Sequence, residues 1–189
     1  MATSLHQQLK ASYAEKLQGA EEIALGDFRV DVAFPGGVVE IQHASLASIR
    51  KKTRELLEDH HVVIVKPLIF RRKLIKYAKK DGAVVGSRFS PKRGCWLDVF
   101  EDLIYLRDVF PHERLTIELP AVEIEEHRYP KKKPRFRKAN YHISDQVLTR
   151  LIETRVLESR ADIVKLLPTP LPGEFDTGCL LYTSPSPRD

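Results

Sequence analysis

FRVDVAFPGGVVEIQHAS, residues 28–45, is the stretch whose reading decides the fold. Its first half alternates, so Phe28, Val30, Val32 and Phe34 share one face of a strand and Arg29, Asp31 and Ala33 the other. Pro35, Gly36 and Gly37 punctuate a turn. Beyond it Val39 and Ile41 share one face, and Val38, Glu40 and Gln42 the other. If the two runs form a hairpin, matching their apolar faces sets the parity of the register. A two-residue loop then brings Asp31 to the side of Glu40 and Gln42, whereas a one-residue slip puts Asp31 among core side chains. On spacing alone, the two acids also suit a solvated sheet face.

Working outward, residues 4–18 read as an amphipathic helix with Leu5, Leu9, Tyr13 and Leu17 at four-residue spacing, stopped by Gly19. Residues 21–25 form a further short strand before the hairpin. A helix over residues 46–58 follows it, burying Leu46, Ile49, Leu56 and Leu57. The β-branched run at residues 62–65 is a buried strand. The predicted order is therefore αβββαβ, an α/β fold with a mixed sheet. Later elements are less regular: a short element at 69–77, a helix at 97–109, and a strand pair at 115–126 interrupted at Pro120. A helix capped by Ser144 runs to Glu158, and a second helix covers 159–167.

The chain has 189 residues, enough for one packed domain with a short appendage. A net charge of +5 and a pI near 9.2 make an anionic partner plausible. No stretch approaches the roughly 18 apolar residues of a membrane helix, so no membrane partner is expected. The start, MATSLHQQLK, lacks a basic-then-apolar secretory layout, and two cysteines build no disulfide framework. These features point to a cytoplasmic chain.

Two carboxylates and an amide converging on one patch of sheet repel unless a cation lies between them, and hard oxygen donors suit Mg²⁺ or Mn²⁺. With Arg29-Val30-Asp31-Val32 on one strand and Val39-Glu40-Ile41-Gln42-His43-Ala44-Ser45 on the next, the chain resembles the PD-(D/E)xK restriction-endonuclease-like nucleases. It is most similar to the competence protein CoiA-like branch, in which glutamine replaces the nuclease lysine. The resemblance covers about residues 5–67. It implies a metal-dependent nuclease with Asp31, Glu40 and the main-chain carbonyl of Ile41 as ligands of Mg²⁺ (or Mn²⁺). Gln42 would orient the attacking water without supplying positive charge, and DNA would be the substrate. His6, Lys10 and Glu15 on the first helix are read as accessory groups, and Lys66 as a candidate substitute for the missing lysine. Cys95 beside Trp96 is read as core.

Three basic clusters accompany this core: residues 49–54, 70–80 and 130–138. The first two offer Arg50, Lys51, Arg54, Arg71, Arg72 and Lys73 to a phosphate backbone. The third, PKKKPRFRK, carries six positive charges in nine residues and reads as a linker. The expected organisation is a nuclease-like domain at 1–127, a basic linker at 128–142 and a helical segment at 143–178, resembling a truncated helix-turn-helix domain. CLLYTSPSPRD, residues 179–189, resembles the translation of a sequencing adapter. The alternative to the enzyme is a nuclease-fold nucleic-acid-binding module with cutting weak or lost.

Overall fold

The computed structural model describes residues 3–131 and 140–168. The expected order appears in full. Helix α1 (Ser4–Leu17) is followed by strands β1 (Ala20–Leu25), β2 (Phe28–Phe34) and β3 (Gly37–Ile41). A 3-10 turn (Leu46–Ile49) leads into α2 (Arg50–Leu56) and then β4 (His61–Val65). The chain continues through β5 (Leu68–Tyr77), β6 (Val84–Phe89), a helical stretch centred on α3 (Phe100–Leu103), β7 (Leu115–Pro130), β8 (Tyr141–Leu157) and α4 (Arg160–Val164). The fold is mixed α/β, built on one eight-stranded sheet.

The sheet is sandwiched between helices. On one face Leu5, Leu9 and Tyr13 of α1 cover Val32, Val39, Ile41, Val63, Val65, Val122 and Ile124. On the other, Ile49 of the 3-10 turn, Leu56 of α2 and Leu103 of α3 cover Val38, Val62, Ile64, Leu115 and Ile117. Strand β4 is therefore apolar on both faces, as its β-branched run required. The spacing of α1 is realised: Thr3 caps its start, and Gln18, in the left-handed region at φ 51, ends it one residue before Gly19. Gly19 is needed for a different reason, because a Cβ there would lie 2.7 Å from the Ala33 carbonyl oxygen.

Strands β1, β2 and β3 form an antiparallel meander, and β3 and β4 run parallel, joined by the α2 crossover. β4 and β5 then pair in parallel with the same strand, β7: Val65 lies opposite Glu118 and Leu68 opposite Ala121. This register explains why Pro120 does not interrupt the strand. It falls opposite Pro67, in the break between β4 and β5, where the pairing of β4 with β7 ends. The expected strand pair at 115–126 is thus one strand.

The larger correction concerns residues 144–158, read as a capped helix. They lie in β8, which pairs antiparallel with β7 from Ile117–Leu157 out to Pro130–Tyr141. The register shifts three times, leaving Ser144, Thr149 and Ile152 as extra residues on the β8 side. Each bulge resets the two-residue alternation. The apolar positions Val147, Leu148, Leu151, Ile152 and Val156 consequently mimic helical spacing. The β-branched residues and the long partner β7 decide the outcome. No separate helical domain starts at residue 143, since β8 belongs to the same sheet, and only the short α4, after Ser159, matches the second expected helix. The linker read at 128–142 begins inside β7 and ends inside β8, and its central residues 132–139 lie outside the described residues. So do residues 169–178 of the helix-turn-helix reading and the adapter-like 179–189.

One strap holds the segment that follows β3. Lys66, buried at the end of β4, donates to the carbonyls of His43 (3.1 Å) and Ala44 (2.7 Å) and pairs with Asp102 at 2.8 Å. Asp102 also accepts the Leu46 N–H at 3.0 Å. Burial alone would raise the Asp102 pKa, but Lys66 and the Leu46 N–H outweigh it and hold the carboxyl below its ordinary value. Lys66 is therefore a strap, not a stand-in for the missing lysine, and β4 is an inner strand rather than near an edge.

Asp102→Asn should destabilise the fold by about 2–4 kcal/mol at pH 7, because it leaves the Lys66 ammonium buried without a counter-charge. A carboxyl with a depressed native pKa contributes above its unfolded pKa and loses that contribution as pH falls through the native one. Denaturant unfolding at pH 7 and at pH 3 should therefore show the variant's deficit shrinking in acid. Gly37→Ala should cost about 1–3 kcal/mol in the same assay, since its Cβ would meet the His61 carbonyl oxygen and the Phe34 ring, both at 2.6 Å.

Candidate functional site

The β2–β3 hairpin closes through the two-residue loop Pro35-Gly36, with Gly36 at φ 95. Phe34 lies opposite Gly37, Ala33 opposite Val38 and Val32 opposite Val39. The pairing stops at Val32–Val39, and the expected alternation breaks just beyond it: Val32 and Phe34 pack on the α1 side, Val30 and Phe28 on the α2 side, and Asp31 sits at the crossover, near Glu40. The ladder loosens there on both sides. The Ile41 N–H donates to Asp31 Oδ2 at 2.8 Å. On the β1 side, Glu22 adopts φ 58 and is passed over between the pairs Glu21–Val32 and Ile23–Val30.

Each acid then meets a cation from a different helix. Asp31 Oδ1 lies 3.4 Å from His6 Nε2 of α1. Glu40, 6% exposed, lies 2.5 Å from Lys52 Nζ of α2, which also donates to the Arg29 carbonyl at 2.5 Å. The two carboxyls are pushed apart in acidity. Burial works against ionised Asp31, but His6 and the Ile41 N–H prevail and its pKa falls. At Glu40 burial dominates, Lys52 offsets it only in part, and the pKa rises. The His6 pKa is raised by its bond to Asp31. Beside them the buried Lys10 pairs with Glu22, which also binds Arg29 at 2.5 Å.

His6 thus stands at the site as expected, Lys10 sits one turn along, and Glu15 does not join them. Glu15 is exposed, and its side chain forms no ion pair or hydrogen bond among the described residues. Gln42 turns its amide nitrogen into the following loop, donating to the Ser45 carbonyl (2.9 Å) and Ser48 Oγ (2.8 Å). Cys95 is half-buried at the surface of the helical stretch rather than in the core.

Lys52 is the residue the sequence reading missed. The basic run at 49–54 stands out for its charges, yet Ile49, Thr53 and Leu56 are its buried positions. Lys52, three residues after Ile49 and four before Leu56, shares that inward face. The other cations of the run point away: Arg50 and Arg54 both pair with Asp108, and Lys51 with Glu55 at 3.5 Å. Arg71 stacks over Phe89 at 3.9 Å, Arg72 pairs with Glu126 at 3.3 Å, and Lys73 with Glu125 at 2.8 Å. All six residues expected to meet a phosphate backbone thus have a partner within the protein, while Arg50, Lys51 and Arg54 stay exposed to solvent.

Among the described residues no group of three or more His, Cys, Asp or Glu side chains gathers to hold a metal ion. The oxygens of Asp31 and Glu40 nevertheless fit a hard cation such as Mg²⁺, which is commonly held by one or two carboxylates and keeps several waters. Its charge would replace the positive charge that His6 and Lys52 now bring to the two acids.

Among the described residues no helix is long and apolar enough to cross a membrane. The chain is 28% identical over 174 residues to an uncharacterized protein of Treponema pallidum (strain Nichols), an alignment covering 92% of this chain and 68% of that one. No solved structure matches it significantly. The profile of a family described as a domain of unknown function, DUF8091, matches residues 3–158. That span runs from the cap of α1 to the residue after β8, and the protein belongs to this family.

Proposed function

We propose that this protein is a metal-dependent nuclease of the PD-(D/E)xK type, similar to the CoiA-like branch, that hydrolyses DNA phosphodiesters in the cytoplasm. The observation that carries the reading is the closeness of Asp31 and Glu40 just beyond the last β2–β3 pair, with their acidities driven apart. Such paired but unequal carboxyls recur where groups are tuned for chemistry. Asp31, held ionised, and Glu40, together with the Ile41 carbonyl, would bind Mg²⁺ or Mn²⁺. When bound, the ion lowers the pKa of water and neutralises charge building on the phosphate. The chain does the rest. His6 orients Asp31, and Gln42, its amide nitrogen held by Ser45 and Ser48, would offer its amide oxygen to a water. Lys52 brings to Glu40 the positive charge that a glutamine at position 42 cannot supply.

A second reading has its own support. His6 and Lys52 already bond the two acids, and the Gln42 amide nitrogen is committed to Ser45 and Ser48. That arrangement suits a nucleic-acid-binding module with little or no cutting.

Purified protein should cut single- or double-stranded DNA with Mg²⁺ or Mn²⁺ and stop in chelator. Glu40→Ala should lower the rate by about 100-fold or more, the scale seen when one charge-stabilising group is removed from a site. Lys52→Ala should lower it by about 10- to 100-fold, with a cooperative unfolding transition retained in both variants. A folded protein that binds DNA and cuts none under either metal would remove the nuclease reading and leave the binding module.

A further inference from the structure

The basic character of this chain is local. Of its 31 lysines and arginines and 26 acids, residues 68–95 hold nine bases and one acid, Asp81, leaving 22 bases against 25 acids elsewhere. That segment is the β5–β6 hairpin with the loop that returns from it. Arg71, Arg72 and Lys73 are engaged internally, as described above. The other six bases, Lys76, Lys79, Lys80, Arg88, Lys92 and Arg93, are all exposed, and none has an ion-pair partner among the described residues. Outside this segment acids accompany the bases, as Glu126 does Arg128 and Asp108 does Arg50 and Arg54.

The topology aims this charge. β3, β4, β5 and β7 run in one direction, and Asp31, Glu40 and Gln42 lie near the carboxyl end of β3. β5 and β7 continue past that end, so the hairpin projects from the site end of the sheet by about 30 Å at the usual rise per residue. Lys79 and Lys80 occupy its tip. Arg88 lies opposite Leu74, so it shares a face with Lys76, two residues further along β5. Lys92 and Arg93 return toward the base. Lys92 lines the same cleft as Lys66 and Asp102, the strap that holds the loop after β3. β6 is also an edge strand whose residues are exposed on both faces, with Val84, Val85 and Phe89 at 51–64%. β5 is also bonded to β7 from Leu68 to Lys76, so the arm is the free margin of a wider sheet, and an edge strand with cations at its tip and flanks suits contact with the phosphates of duplex DNA.

We propose that the β5–β6 hairpin is the DNA-docking arm of this protein, gripping the phosphate backbone of a duplex through Lys76, Lys79, Lys80, Arg88, Lys92 and Arg93. This rests on the nucleic-acid reading of the chain but not on its being able to cut. It also moves the interface off α2, whose arginines are tied to Asp108.

The test is fluorescence anisotropy with a labelled duplex in chelator, over a series of salt concentrations. It uses the full chain and the variants Lys79→Glu/Lys80→Glu, Arg88→Glu and Arg50→Ala/Arg54→Ala. Removing one cation from a phosphate should reduce the slope of log affinity against log salt by about one. The hairpin variants should show that reduction with a tenfold or greater loss of affinity, while the α2 variant matches the unaltered protein. All substituted hairpin residues are exposed, so unchanged thermal unfolding would exclude misfolding. Hairpin variants that bind as the unaltered protein does would overturn the proposal. So would preference for phosphatidylserine vesicles over duplex. If the protein docks DNA through the hairpin yet never cuts, the nuclease reading falls and this one stands. Cutting that survives every hairpin reversal, with binding unaltered, does the reverse.

Discussion

The register between β2 and β3 is the constraint on which the rest of the site depends. A loop of two residues, with Gly36 in the left-handed region, leaves one way of pairing Phe34 with Gly37. Gly37 in turn has no room for a side chain beside His61 and Phe34. That pairing sends Val32 and Val39 together into the α1 core, and one residue earlier the alternation of β2 breaks, with Val30 on the α2 side and Asp31 brought near Glu40. A shift of one residue would exchange core and site. The hairpin thus orders the core and the candidate site in one step.

The acids are tolerated at half-buried positions because each helix layer contributes one cation. α1 delivers His6 and α2 delivers Lys52, from opposite faces of the sheet. Charged groups taken out of water persist only when paired and hydrogen-bonded, and Asp31 meets that condition through His6 and the Ile41 N–H. Glu40 meets it less fully, which is why its acidity falls while that of Asp31 rises. The same economy governs the basic surface. Where acids lie within reach, arginines and lysines are consumed in ion pairs and offer little to a ligand. The β5–β6 hairpin has one acid among nine bases, so its outer cations stay available.

Local pattern made the elements from α1 to β4 legible. α1 announced itself through Leu5, Leu9 and Tyr13, β4 through four consecutive β-branched residues, and the hairpin through alternation around Pro35-Gly36. These elements each pack one simple face or lie buried on both. β8 was illegible for the opposite reason, since bulges at Ser144, Thr149 and Ile152 disguised a strand as a helix. At the site, Asp31 and Glu40 could be found from the hairpin motif, whereas Lys52 was hidden among neighbouring charges. A helical wheel centred on Ile49 and Leu56 would have singled it out.

What the sequence by itself determined was the αβββαβ order, the turn that joins β2 to β3, and the local excess of positive charge, because these follow from periodicity and composition within a few residues. Only the tertiary structure decided that residues 141–157 complete the sheet, that Lys66 straps a loop, that Lys52 meets Glu40, and which cations keep no partner. Those outcomes depend on pairings between residues far apart in the chain, such as Lys66 with Asp102 or Ile117 with Leu157. No local pattern encodes which distant group will arrive.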